Sequence, residues 1–345
     1  MLKSGNTLMW LKSTMMPLKK KSKSKGNTCK VAIPMASTQF NERFQVPKVA
    51  LTIIDQIVNS QEILLIESLE QESFTAAEAY PVLQARSGEL WTINRVNALL
   101  HSAYKRGVIQ WVDENQTNYK IGSFYTRLDI FAISEPDSYR ALPRQTQVAL
   151  DKWYFESYLN RLAPGAAVPT ADRVVTLSQA KDYLDSITGQ IWLNRCDCRT
   201  LAGNCDLPAD VCISFRSGVN TFSHRGWSTP VTKEQAQEVL ERADQTGLIH
   251  TVNPGGICNC CDDCCYLFRA QRVRQSNPTW PAALFIAVFN PDSCAGCGLC
   301  ATRCHFGAFE QNDGVVQYYP NRCRGCGLCS ETCPANAIRI VERRK

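Results

Sequence analysis

Eighteen of the 345 residues are cysteine, and seventeen of them lie between Cys196 and Cys333. Within each group they stand one to seven positions apart. Thiols that close along a chain point to metal sites, because soft thiolates converging from one loop suit thiophilic ions and clusters. A disulfide framework is the alternative in a small secreted protein, but this chain is long and its N-terminal stretch lacks the continuous apolar segment of an export signal. The eighteenth, Cys29, stands alone. The first half is therefore expected to fold without metal, and the second half around it.

Two runs share one spacing. Cys294-x2-Cys297-x2-Cys300-x3-Cys304 is followed by Cys323-x2-Cys326-x2-Cys329-x3-Cys333-Pro334. Thiolates two residues apart in a tight loop can converge on one cube of iron. Gly296, Gly298, Gly325 and Gly327 allow close backbone approach, so that amide N–H groups can point at sulfur. Leu299 and Leu328 hold equivalent places and are expected to shield the metal from water. A pair of four-cysteine zinc sites is the bland alternative; two copies of so dense a spacing argue against it. The pattern over about residues 285–342 resembles the bacterial-type two-[4Fe–4S] ferredoxins. That resemblance implies one-electron chemistry and crossed ligation, the fourth cysteine of each run serving the other cluster. One cluster would take Cys294, Cys297, Cys300 and Cys333; the other Cys323, Cys326, Cys329 and Cys304. His305 stands where the first run would ordinarily carry proline, so the two clusters are expected to differ in local polarity.

Nine cysteines lie upstream. Cys196-x-Cys198-x6-Cys205-x6-Cys212 precedes Cys258-x-Cys260-Cys261-x2-Cys264-Cys265. The pairing is similar to motifs in ferredoxin-type iron–sulfur proteins of anaerobic bacteria, which implies electron transport and identifies no substrate. A further iron–sulfur cluster is the leading expectation, with structural zinc and redox-active dithiols left open. Nine thiols exceed the four of one cube, so some are spare, bridging, or ligands of another site. Adjacent cysteines such as Cys260 and Cys261 cannot easily reach one metal together, so one of each pair is expected to face the core.

The elements that must position these thiols follow from periodicity. Apolar residues near 3.6-residue spacing predict a helix over 47–67, a second from Thr75 to about Leu83 opened by a Thr75/Glu78 capping box, and a third over Ile93–Lys105. Val108–Val112 and Thr117–Ile121 form a hairpin around a polar turn. Three helices and a hairpin over residues 47–125 resemble a winged-helix domain. A helix over Arg144–Leu162 follows, then Ala163-Pro164-Gly165 as a boundary. Helix, strand and cysteine cluster then occur twice: Leu177–Ile187, Gln190–Asn194, Cys196; and Thr232–Thr246, Leu248–Val252, Cys258. The fold class expected is α+β and multidomain: a disordered basic tail (1–44), a winged-helix-like domain (45–135), a helical connector (136–169), a cysteine-rich α+β domain (170–280) and a two-cluster ferredoxin-like domain (281–345).

Charge limits the functions available. The net +6 is misleading, because residues 1–44 carry nine Lys/Arg against one acid, which leaves −2 for the other 301 residues. Lys19–Lys25 could touch nucleic acid or an anionic surface, with a solvated extension as the plainer reading. The winged-helix-like segment is itself acidic, and its hairpin turn is Asp113-Glu114, a poor match for the phosphate backbone. Docking to a redox partner is therefore favoured there over DNA binding. No apolar run is long enough to span a membrane, and a cytoplasmic, anaerobic setting is expected. No hydrolytic triad, phosphate loop or dinucleotide fingerprint stands out, and His101, His224, His250 and His305 are scattered. The leading reading is an electron carrier or oxidoreductase component; a redox- or iron-responsive regulator and an enzyme with a catalytic upstream cluster are the alternatives.

Overall fold

The structure, a computed structural model, describes residues 36–344, which belong to one continuous packed unit of mixed α+β architecture. The basic run Lys19–Lys25 and Cys29 lie outside the described residues. Helical structure is present earlier in the chain than expected. Helix α1 (Thr38–Arg43) falls inside the stretch assigned to the tail, capped by Ser37, whose hydroxyl accepts from the Phe40 amide. Phe40 and Phe44 are fully buried, so two aromatic anchors outweigh the polar surroundings that suggested disorder.

The single helix expected over 47–67 is instead two, α2 (Ile54–Ile57) and α3 (Ser60–Ser68). Asn59 Oδ1 accepts from the amides of Gln61 and Glu62, and the Glu62 carboxylate accepts from the Asn59 amide. This reciprocal capping starts a new helix and so ends the old one. Strand β1 (Ser73–Phe74) leads to α4 (Ala76–Ser87), which opens on the Thr75/Glu78 box but runs past Leu83 to Gly88, at φ 66°. Helix α5 (Ile93–Lys105) has the bounds its periodicity gives, and β2 (Ile109–Trp111) pairs with β3 (Tyr119–Ile121) in a small sheet of order β1-β3-β2. Helices α6 (Phe124–Ser134), α7 (Pro136–Ala141) and α8 (Arg144–Arg161) complete this core. Buried Arg127 donates to the Ile57 carbonyl and to Glu135, and Arg106 pairs with Glu62 and Glu135, both at 2.7 Å.

A seven-stranded sheet follows. Its elements in chain order are β4 (Arg173–Val175), α9 (Leu177–Asp185), β5 (Ile191–Arg195), α10 (Asp197–Ala202), β6 (Asp210–Ser214), β7 (Thr229–Val231), α11 (Lys233–Gln245), β8 (Ile249–Asn253), β9 (Gly256–Cys260), α12 (Tyr266–Arg274) and β10 (Ala282–Ala283). The strand order is β10-β4-β8-β9-β6-β5-β7, antiparallel except for β10 with β4. Strand alternation divides its faces. Val175, Val211, Ile213 and Ile257 meet α9 and α11 on one side, while Val174, Ile249 and Cys260 meet α12 and α8 on the other.

The loop between β6 and β7 reaches back to the first core. Arg225 is buried and donates to the carbonyls of Tyr104 and Ile109, Trp227 Nε1 donates to the Lys105 carbonyl, and Asn220 brackets the Trp111 backbone. The last segment holds β11 (Phe285–Phe289), α13 (Leu299–Arg303), β12 (Phe309–Asn312), β13 (Val315–Tyr318), α14 (Leu328–Glu331) and β14 (Ile338–Glu342). Strand β11 pairs with β14, and β12 with β13, both antiparallel. Among the described residues, no helix is long and apolar enough to cross a membrane.

Candidate metal centres

The C-terminal cysteines line two small cavities, and membership follows the crossed sets. Cys294, Cys297, Cys300 and Cys333 line one. Cys304, Cys323, Cys326 and Cys329 line the other. Backbone amides point at sulfur in a repeated pattern 29 residues apart. Gly296 N–H donates to Cys294 Sγ as Gly325 N–H does to Cys323 Sγ, each at 3.4 Å. Ala308 N–H donates to Cys304 Sγ at 3.2 Å, as Ala337 N–H does to Cys333 Sγ at 3.3 Å. Donors fixed before any charge arrives favour an added electron on a thiolate-bound centre. Gly325 has φ 70°, and a Cβ there would collide with the Phe285 carbonyl.

The two cavities differ in setting. Cys297 is exposed and Leu299 is 46% exposed. Cys323 and Cys329 are buried, burial pushes the Cys326 thiol up to about 12, and Leu328 is 1% exposed. The expected shielding by leucine therefore holds at Leu328 and fails at Leu299. Arg324 lies against the Phe306 ring, and burial lowers its guanidinium to about 10. His305 is pinned to the seven-stranded unit: its Nδ1 lies 3.0 Å from Asp262 Oδ1 and its Nε2 2.6 Å from the Gly247 carbonyl.

Eight of the nine upstream cysteines line one open cleft, and Cys205 stands beside it, its sulfur 3.6 Å from Cys261. The strands explain the convergence. Register Ile213↔Ile257 sets Cys212 of β6 opposite Cys258 of β9, and Cys260 lies two residues along on the same face. Cys196 follows β5 and caps α10, its sulfur accepting from the Arg199 amide, while Cys198 lies within α10 and Cys265 caps α12.

Sulfur contacts split the nine into six and three. Cys196 touches Cys198 and Cys212, Cys198 touches Cys265, Cys212 touches Cys258, and Cys258 touches Cys260. Cys260 and Cys265 close the ring at 3.4 Å. Hydrogen bonds from neighbouring thiols lower Cys196 and, to about 5, Cys258. Cys205, Cys261 and Cys264 make the second set, with Cys205 Sγ 3.6 Å from each of the others. Neighbours in sequence thus diverge: Cys260 and Cys265 face the ring, while Cys261 and Cys264 turn into the core beneath α9 and α11, as expected for one of each pair, and meet Cys205 there.

Arg199 lies between the sets. It is 3% exposed, donates to the carbonyls of Pro208 at 2.6 Å and Asn259 at 3.0 Å, and lies close to Cys261. Arg199 is thus a buried cation beside the thiolates, whereas Arg195 pairs at the surface with Asp210. Two carboxyls that sequence reasoning missed lie beside the ring: burial pushes Asp197 up to about 6, and Asp129, also raised foremost by burial, stands next to it. Asp197 is visible in the C-D-C motif; Asp129 carries no local signal. The other histidines have structural partners or none: His250 bonds Asn259, His224 bonds Tyr104, and His101 is exposed.

Among the described residues, two groups of three ligand atoms lie mutually within 4.8 Å: Cys205–Cys261–Cys264 and Cys196–Asp197–Cys198. These are two candidate metal-ligand clusters. No curated protein and no solved structure matches the chain. One family does: the 4Fe-4S binding domain, Fer4, matches residues 316–339, which span the run from Cys323 to Cys333. The chain therefore carries a Fer4-like iron–sulfur-binding domain near its C-terminus.

Proposed function

We propose that this protein is an electron carrier, or the electron-transfer component of an oxidoreductase, with three iron–sulfur centres. Two [4Fe–4S] clusters would be held by Cys294, Cys297, Cys300 and Cys333, and by Cys304, Cys323, Cys326 and Cys329. A further polynuclear centre would be held by the ring of Cys196, Cys198, Cys212, Cys258, Cys260 and Cys265. The observation that carries the reading is the pair of cavities, each lined by one crossed quartet and each with the same two amide-to-sulfur hydrogen bonds. Bound clusters supply one-electron chemistry; the chain supplies burial, amide donors and spacing.

The surroundings give these sites an order. The Cys297 edge is exposed and offers a partner its approach. Cys326, Leu328, Phe306, Phe268, Cys260 and Cys265 share one apolar core, which joins the inner quartet to the ring. The segment 45–135 would serve as a docking module. Arg106 is spent on Glu62 and Glu135, Arg95 on Glu89, and Glu114 of the hairpin turn accepts from the Val219 amide. These contacts leave few free cations for DNA phosphates.

Anaerobic purification followed by iron and sulfide analysis and electron paramagnetic resonance tests the reading. About eight iron and eight sulfide per chain are expected from the two quartets alone, with more from the ring. Zinc without sulfide at the quartets would overturn it.

A further inference from the structure

We propose that Cys205, Cys261 and Cys264 form a separate site for a single thiophilic divalent ion, zinc foremost, whose fourth position is open to water or a small exogenous thiolate. The argument begins with spacing. Around one tetrahedral zinc with bonds of about 2.3 Å, thiolate sulfurs stand about 3.8 Å apart. Cys205 Sγ lies 3.6 Å from both Cys261 Sγ and Cys264 Sγ, and all three are mutually within 4.8 Å. The thiolates of a four-iron cube stand farther apart, because the iron tetrahedron lies between them. The eight C-terminal cysteines accordingly form no such group of three, and they line cavities instead.

The ring behaves differently again. Its sulfurs touch in sequence around a cleft, and among the described residues no three of its cysteines are mutually within 4.8 Å. The trio is thus the one all-cysteine set already at single-ion geometry. Cys261-x2-Cys264 supplies two ligands from the turn between β9 and α12, and Cys205 closes on them from the loop after α10.

A fourth protein ligand is not at hand among the described residues. Of the carboxylates adjacent in sequence, Asp262 is held by Arg272 at 2.9 Å and His305 at 3.0 Å, while Asp206 and Asp263 are exposed. Three protein ligands with the fourth place open is the arrangement that lets a bound ion take an exogenous group. Cys205 is only partly buried, so solvent reaches the site. Arg199, close to Cys261, places a buried cation beside the thiolates and offsets their summed charge.

The test uses the full chain, purified anaerobically with zinc supplied. One zinc per chain is expected beside the cluster iron. Cys205→Ser should weaken zinc binding by more than the roughly 10–100-fold that loss of a merely supporting residue costs, with iron and sulfide unchanged. Cys212→Ser should do the reverse, lowering iron and leaving zinc. Wild-type protein loaded with cobalt(II) should show the visible bands of a tetrahedral thiolate site, and added 2-mercaptoethanol should shift them. The proposal fails if neither zinc nor cobalt binds, if Cys205→Ser loses iron and sulfide as well, or if thiol mapping of the zinc-free protein as purified finds a Cys261–Cys264 disulfide. An unmoved cobalt spectrum would overturn the open fourth position.

Discussion

Cys260 and Cys261 are consecutive in the chain and belong to different sulfur sets. Cys260 Sγ lies 3.4 Å from Cys265, while Cys261 Sγ lies 3.6 Å from Cys205. Cys260 ends β9, where alternation fixes its side chain to the α12 face; Cys261 begins the turn and is free to point elsewhere. One strand end thereby feeds two sites.

Crossed membership of the quartets gives the first prediction. Cys333→Ala should abolish the signal of the centre bounded by Cys294, Cys297 and Cys300, and spare the one bounded by Cys323, Cys326 and Cys329. Single-mutant resonance spectra decide it. Loss confined to the sequence neighbours of Cys333 would contradict the assignment.

Gly325→Ala and Gly314→Ala should differ in effect although both glycines have positive φ. Nothing lies within 4 Å of a Cβ at Gly314, so only the left-handed conformation is penalised, by about 1–2 kcal/mol. At Gly325 a Cβ also collides with the Phe285 carbonyl and disturbs the amide that serves Cys323. Iron release on mild heating should be faster for Gly325→Ala than for Gly314→Ala; equal rates would show that the close approach is unimportant.

Arg199→Met should release metal from the upstream cysteines while leaving both quartets loaded. It strands the Pro208 and Asn259 carbonyls, at about 1–3 kcal/mol for each unpaired buried acceptor. Arg199→Lys should rescue little, because an ammonium cannot reproduce the planar fork between two carbonyls. Metal content per chain, compared with wild type, is the readout.

DNA affinity of the full chain should come from Lys19–Lys25, vary little with sequence, and fall steeply with salt. A chain beginning at Ala36 should bind DNA weakly or not at all. It must begin there rather than at Pro47, because Phe40 and Phe44 are part of the first core. Sequence-selective binding by the shortened chain at physiological salt would favour a regulator.

How much of this was legible in the sequence depends on whether the signal is local. The quartets, the Thr75/Glu78 and Thr232/Gln235 capping boxes, and the bounds of α5 and α11 are written in neighbouring residues. The ring is not. Cys212 meets Cys258 only because β6 pairs with β9 across 45 positions, and neither strand has the length or alternation that announces itself. The Asn59 capping box is local too, but the apolar stripe running through it suggested one continuous helix. The partner of Asp197, Asp129, comes from a helix of the first core and could be found only in three dimensions.

The repeat that sets Gly296 with Gly325 and Ala308 with Ala337 makes two nearly identical cradles, one with an exposed cysteine rim and one sealed beneath Leu328. Identical loops in unequal media cannot be isoenergetic, since hydration and nearby charge shift the standing of a centre as much as its ligands do. If both cradles hold clusters as proposed, the pair is polar: an electron shared between them would have a preferred resting place, set by the unequal mounting and by His305 standing where the second run has Pro334.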